Sequence, residues 1–172
     1  DLAPPSCEGL PSTCGASGTR SCCESIAIPG GSFFRRYDVA LDGQYADMGF
    51  PATVSPIRID RYEITVGRFR KFMEASGATQ VAPPADGAGA RSLNGMADQA
   101  GWDAAWNASL FPNTSQLTAS LACGGLATWT NAPGDNENRP INCVSWYEVQ
   151  AFCIWDGGFL PTETEWNFPA SG

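Results

Sequence analysis

The chain has no histidine among its 172 residues. That excludes Ser-His-Asp and Cys-His catalysis, histidine-containing zinc or iron sites and a histidine pH switch. Positive charge is also scarce: one Lys and nine Arg stand against 18 acidic residues, for a net charge of -8. A nucleic-acid partner or an anionic membrane surface would need a basic footprint that is not present. No stretch approaches the roughly eighteen apolar residues of a transmembrane segment. The first residue is Asp1, and a signal peptide or lipoprotein leader removed ahead of it is expected. Aliphatic residues are thin too. Leu, Ile, Val and Phe together supply 31 positions, just under the roughly one-fifth below which a charged chain tends toward disorder.

Six Trp, four Tyr and seven Cys offset this deficit, because each aromatic buries about 150 to 250 Å² and disulfides restrict the unfolded chain. With 19 Gly and 13 Pro, the expectation is a compact, loop-rich single domain. Seven cysteines with an adjacent Cys22-Cys23 pair fit an oxidising compartment, so the protein is expected to be secreted, periplasmic or at the cell surface. No two C-x-x-C pairs occur, and disulfides are favoured over a thiolate metal site. An odd count leaves at least one cysteine outside an internal bridge.

Residues 1–25 form a Cys-, Pro-, Ser- and Gly-rich leader containing Cys7, Cys14, Cys22 and Cys23. Residues 26–172 form the domain proper, with a small-residue insert over about 80–138. Ile26 and Ile28 alternate, Pro29-Gly30-Gly31 turns the chain, and Phe33-Phe34 resumes an apolar run before Arg35-Arg36-Tyr37, which reads as a first strand or hairpin. Ile57 and Ile59 alternate, Tyr62 and Ile64 repeat the alternation in the other phase, and a bulge near Asp60 would reconcile them. Thr65 is a candidate N-cap for a helix carrying Val66, Phe69, Phe72 and Met73 on one face, with Ser76-Gly77 as its stop. Arg68, Arg70 and Lys71 are then expected to form a solvated face.

Trp102 and Trp106 are spaced as one helical face would place them, and core packing is favoured over sugar stacking. Asn107-Ala108-Ser109 and Asn113-Thr114-Ser115 match the short glycosylation acceptor pattern. Asp135-Asn136-Glu137-Asn138 gathers oxygen ligands of the kind calcium uses, but without the twelve-residue calcium loop, so a turn with Asx hydrogen bonds is preferred. Two capping boxes follow. Ser145-Trp146-Tyr147-Glu148 opens a helix closed by Asp156-Gly157-Gly158, and Thr162-Glu163-Thr164-Glu165 opens a second, ended by Pro169. Glu163 and Glu165 could in principle form an acid/base pair, but a structural role is favoured for both, with Glu165 in the cap.

These ordered pieces resemble the formylglycine-generating enzyme, or sulfatase-modifying-factor, family. The resemblance rests on Ile28-Pro29-Gly30-Gly31-Ser32-Phe33, on Ile59-Asp60-Arg61-Tyr62-Glu63-Ile64-Thr65, and on Pro140-Ile141-Asn142-Cys143-Val144-Ser145-Trp146-Tyr147-Glu148. Its most specific part is Gly158-Phe159-Leu160-Pro161-Thr162-Glu163-Thr164-Glu165-Trp166. The resemblance implies an α+β fold of the C-type-lectin-like (sulfatase-modifying-factor) type, loop-rich and disulfide-containing. It further implies an N-terminal portion of the domain only, in a bacterial surface or lipoprotein branch.

Enzymes of that family use oxygen and a copper ion held by two cysteines to convert a sulfatase cysteine into formylglycine, and many bind calcium. Soft thiolates suit Cu(I). The family's catalytic cysteines and calcium ligands lie downstream of the Leu160-Trp166 string, so copper and calcium are expected in a C-terminal half and none in this chain. No residue here is assigned a catalytic, cofactor or metal role. Cys153 falls where some members pair with a cysteine of that other half, which makes it the candidate for the cysteine without an internal bridge. Cys123 with Cys143, and two pairs among Cys7, Cys14, Cys22 and Cys23, would use the rest. Phe159 stands where the family usually has Arg, removing a planar five-donor group suited to a carboxylate. The expected function is thus a formylglycine-generating-type domain that is inactive alone. The alternative is a non-catalytic, extracellular lectin-like module binding protein or glycan, with Trp102, Trp106 and Trp129 in its insert. Iron-dependent relatives of the same fold need a histidine triad, for which the chain has no residues.

Overall fold

The structure, a computed structural model, describes residues 3–35, 37, 44, 46–75, 77–93 and 96–170. Arg36, read above with the first apolar run, and Ser76, read as part of a helix stop, lie outside the described residues. It is a small mixed assembly of helices and strands with three disulfides. Contacts divide it into two compact units: Asp1–Glu24 with Tyr62–Leu160, and Ser25–Arg61 with Pro161–Gly172.

The second unit is built on β1 (Ser25–Ile28), β2 (Gly31–Phe34), β3 (Pro51–Val54) and β4 (Ile57–Asp60). The expected hairpin of β1 with β2 does not form. Instead β1 pairs antiparallel with β4, from Ser25↔Asp60 to Ile28↔Ile57, and β2 pairs with β3, from Gly31↔Val54 to Phe34↔Pro51. The register runs on without a slip, so the four strands make one long ribbon broken at its middle. Pro29 and Pro56 sit at that break and have no N–H to give the ladder. Gly30 is required there, because a Cβ would come within 2.6 Å of the Val54 carbonyl oxygen and 2.8 Å of Pro56. Helix α4 (Glu163–Ala170) packs on β3, with the rings of Phe33 and Phe168 5.5 Å apart. The helix continues one residue past Pro169 rather than ending there. No bulge occurs at Asp60: β4 ends, and the change of phase marks the passage to the other unit.

The first unit holds α1 (Val66–Ala75), the short hairpin β5 (Arg91–Leu93) and β6 (Met96–Gln99), α2 (Thr114–Ser120) and α3 (Trp146–Trp155). Thr65 caps α1 as its spacing predicts, its hydroxyl accepting from the Arg68 N–H at 3.3 Å. The core is aromatic. Phe69, Phe72 and Phe152 are mutually in contact at 5.4–5.8 Å, and Trp102, Leu110, Leu117 and Leu121 complete it. Trp102 precedes the 3-10 turn Ala104–Ser109 that carries Trp106, so the two do not share a regular helical face. They meet edge to face at 5.4 Å all the same, with Trp102 fully buried and its indole N–H donated to Asn107 Oδ1.

Candidate functional site

Local sequence positions the helices that frame the family-like strings of the chain. Ser145 Oγ accepts from the Glu148 N–H while Glu148 Oε2 accepts from the Ser145 N–H, the reciprocal capping box read from the sequence. Thr162 and Glu165 repeat it on α4: Glu165 Oε2 accepts from the Thr162 N–H at 2.8 Å and from its hydroxyl at 2.9 Å. Glu165 is buried in that capping role and Glu163 is exposed. The structure thus gives this pair no shared acid/base geometry.

The arginines of α1 correct the sequence reading most sharply. Arg68 and Arg70 are buried, not solvated, at 2% and 7% exposure. Arg68 reaches Asp156 at the end of α3 through Nη2 at 2.7 Å, and its Nε donates to the Ser6 hydroxyl at 2.8 Å. Ser6 in turn donates its hydroxyl and backbone N–H to the two Asp156 oxygens. The leader is therefore tied by a buried charge network to α1 and α3. Arg70 donates Nε and Nη2 to Glu137, with Nη2 donating also to the Thr130 carbonyl, and its guanidinium lies 4.4 Å from the centre of the Trp129 ring. Lys71 is half-buried.

Glu137 is thereby committed to Arg70, and the amides of its neighbours Asn136 and Asn138 donate to the carbonyls of Thr128 and Thr13. The loop of Asp135–Asn138 is a turn, with the backbone N–H groups of Glu137 and Arg139 donating to the carbonyls of Gly134 and Asn136 at 3.4 and 2.9 Å. Among the described residues, no group of three or more Cys, Asp or Glu comes together as a metal site.

Disulfides join Cys7 to Cys23, Cys14 to Cys22 and Cys123 to Cys143. Cys153, half-buried on α3, is in no disulfide. With Cys143 bridged to Cys123, the thiols at hand do not fit a copper ion held by two cysteines. A surface aromatic cluster lies beside α3: Trp146, 51% exposed, meets Trp106 at 5.1 Å and Tyr147 at 5.3 Å. The insert also supplies Arg91, whose guanidinium lies 3.8 Å from the centre of the Phe159 ring. Asn113 is exposed and caps α2, while Asn107 is half-buried against Trp102.

Compared with known proteins, residues 12–172 match the sulfatase-modifying factor enzyme 1-like domain. The chain belongs to that family. This sulfatase-modifying-factor-like chain is 28% identical to a formylglycine-generating enzyme of Thermomonospora curvata, over 86% of its own length and 48% of the relative's. It is 27% identical to the mouse inactive C-alpha-formylglycine-generating enzyme 2, over 86% of its length and 47% of the relative's. It is also 27% identical to a hercynine oxygenase of Mycolicibacterium smegmatis, over 92% of its length and 33% of that protein's. The chain thus spans about half the length, or less, of these relatives. No solved structure matches it. The buried Arg68–Asp156 and Arg70–Glu137 pairs of this sulfatase-modifying-factor-like chain escaped sequence reading because their partners lie 88 and 67 positions away.

Proposed function

We propose that these 172 residues supply the scaffold of a formylglycine-generating-type domain, of C-type-lectin-like architecture, and do not by themselves oxidise a sulfatase cysteine. The observation that carries this reading is the fate of the cysteines: six are spent in three disulfides, and one, Cys153, lies outside them. Two-thiolate copper chemistry needs a second cysteine in the thiol state. Bound copper would supply the activation of oxygen in the family reaction, and no step here is assigned to it. A formylglycine-generating enzyme and an inactive C-alpha-formylglycine-generating enzyme 2 are about equally similar to the chain, at 28% and 27% identity, so membership alone does not carry activity. The same disulfides favour a secreted, periplasmic or cell-surface setting.

The test is to incubate the chain with a cysteine peptide of sulfatase type, Cu(I) and oxygen, and to follow thiol-to-aldehyde conversion by mass. No conversion above the protein-free control is expected. Conversion that depends on both the chain and copper overturns the proposal.

A second reading, a non-catalytic module that recognises protein or glycan, is favoured by the exposed Trp146 seated on Trp106 and Tyr147. Aromatic faces of this kind anchor partners in water-accessible sites.

A further inference from the structure

We propose that the Cys123–Cys143 bridge is a thiol-exchange site, at which a small-molecule thiol adds reversibly to Cys123 and releases Cys143. In the unreduced protein the bridge stands closed, as the scaffold reading requires.

Access separates the three bridges. Cys14 and Cys22 are 5% and 4% exposed, and Cys7 and Cys23 are half-buried beside the fully buried Ser6. Cys123 is exposed, and the two glycines that follow it face open space: a Cβ at Gly124 or Gly125 would meet nothing within 4 Å. A Cβ at Gly15, beside Cys14, would instead come within 2.9 Å of the Tyr62 hydroxyl. Exchange begins with the approach of a thiolate to one sulfur. Cys123 offers the uncovered flank, and its half-buried partner Cys143 becomes the leaving group.

Backbone conformation is the second observation. Cys143 has φ +63°, and among the described residues it is the one non-glycine residue with positive φ. There the Cβ of an L-residue crowds the following carbonyl, and such a conformation persists only where its surroundings hold it. The bridge is one of those restraints, so opening it is favoured by about tenfold, the scale of the left-handed penalty.

The local fold has other ties. Asn142 Oδ1 accepts from the Thr128 N–H at 3.0 Å and from its hydroxyl at 3.1 Å, and Asn142 Nδ2 donates to the Leu126 carbonyl at 2.8 Å. The Ile141 N–H donates to the Ile64 carbonyl at 2.9 Å, and Ser145 is fixed by its capping box. Residues 126–128 thus stay against Asn142 when the sulfurs part.

The exchange balances without copper or oxygen. A glutathione thiolate attacks Cys123 Sγ, a new S–S bond forms there, the bond to Cys143 breaks, and Cys143 leaves as a thiolate that takes a proton from water. A second glutathione thiolate attacks the glutathione sulfur of the adduct, giving glutathione disulfide and the Cys123 thiol. Two glutathiones are oxidised as one bridge is reduced.

The experiment equilibrates the unreduced chain in buffers of reduced and oxidised glutathione, quenches with acid, alkylates and maps the peptides by mass. Cys123–Cys143 opens in a buffer about tenfold less reducing than the other two bridges need, with the glutathione adduct on Cys123 and the thiol on Cys143. Far-UV circular dichroism and tryptophan fluorescence stay native at that point. The double variant Cys123→Ser, Cys143→Gly, in which glycine takes up the positive φ, folds with the native spectrum. The proposal is overturned if another bridge opens first or all three open together, or if the adduct sits on Cys143. Loss of the native spectrum in the opened chain or in the double variant also overturns it, since the bridge would then be indispensable to the fold.

Discussion

Replacing Asp156 with alanine removes the carboxylate that faces the Arg68 guanidinium in a site where Arg68 is 2% exposed. The carboxylate accepts three hydrogen bonds, from the Ser6 N–H and hydroxyl at 2.8 Å each and from Arg68 Nη2 at 2.7 Å. Removing one partner of a buried pair costs about 3–5 kcal/mol, because the remaining charge keeps its desolvation penalty and loses the opposite charge that offsets it. That is a large share of the roughly 5–15 kcal/mol by which a domain is stable. Asp156→Asn keeps one acceptor oxygen, enough for one of the two Ser6 donors, but loses the charge and turns the other oxygen into a donor, so its cost falls between wild type and Asp156→Ala. Arg20→Ala serves as the control: its pair with Glu24 is solvent-exposed, with side chains at 53% and 32%, and costs under about 1 kcal/mol. Urea denaturation with disulfides intact, followed by tryptophan fluorescence, measures all three. A loss below about 1 kcal/mol for Asp156→Ala would show that the network is wetted like a surface pair and would refute the reasoning.

Two further substitutions separate backbone from packing effects. Gly101 and Gly87 both have positive φ, +80° and +73°. A Cβ at Gly101 would meet the carbonyl oxygen of Gly87 at 2.5 Å, whereas one at Gly87 meets nothing within 4 Å. Gly87→Ala is expected to cost about 1–2 kcal/mol from conformation alone, and Gly101→Ala about 1–3 kcal/mol more from the clash; equal losses by thermal denaturation would contradict this. Phe152→Ala, in the aromatic core, is expected to cost about 3–5 kcal/mol. Trp166→Ala, 60% exposed, stays within about 0.5 kcal/mol, and a reversed order in urea titration would misplace the core.

What was legible in the sequence was local. The boxes at Ser145/Glu148 and Thr162/Glu165 need only four residues and elementary capping geometry, so spacing alone revealed them. The Thr65 cap was readable for the same reason. Distant partners were not. Helical periodicity puts Arg68 and Arg70 off the apolar face of α1, but Asp156 and Glu137 arrive from elsewhere in the chain and bury them. The strand ribbon was half visible: Pro29 and Gly30 announced a break, yet pairing of 25–34 with 51–60 is set by register between segments well apart in sequence, not by the break itself. The family strings were the exception, being specific enough to read directly and later matched across residues 12–172.

The central claim is that the cysteines of this chain serve structure rather than paired-thiol chemistry. Its most direct test is a disulfide map of the unreduced protein, with thiol labelling after denaturation. Sequential partial reduction and alkylation is needed, because Cys22 and Cys23 are adjacent. The account predicts bridges Cys7–Cys23, Cys14–Cys22 and Cys123–Cys143, with label on Cys153. Label on both Cys143 and Cys153, or a bridge between those two, would contradict it.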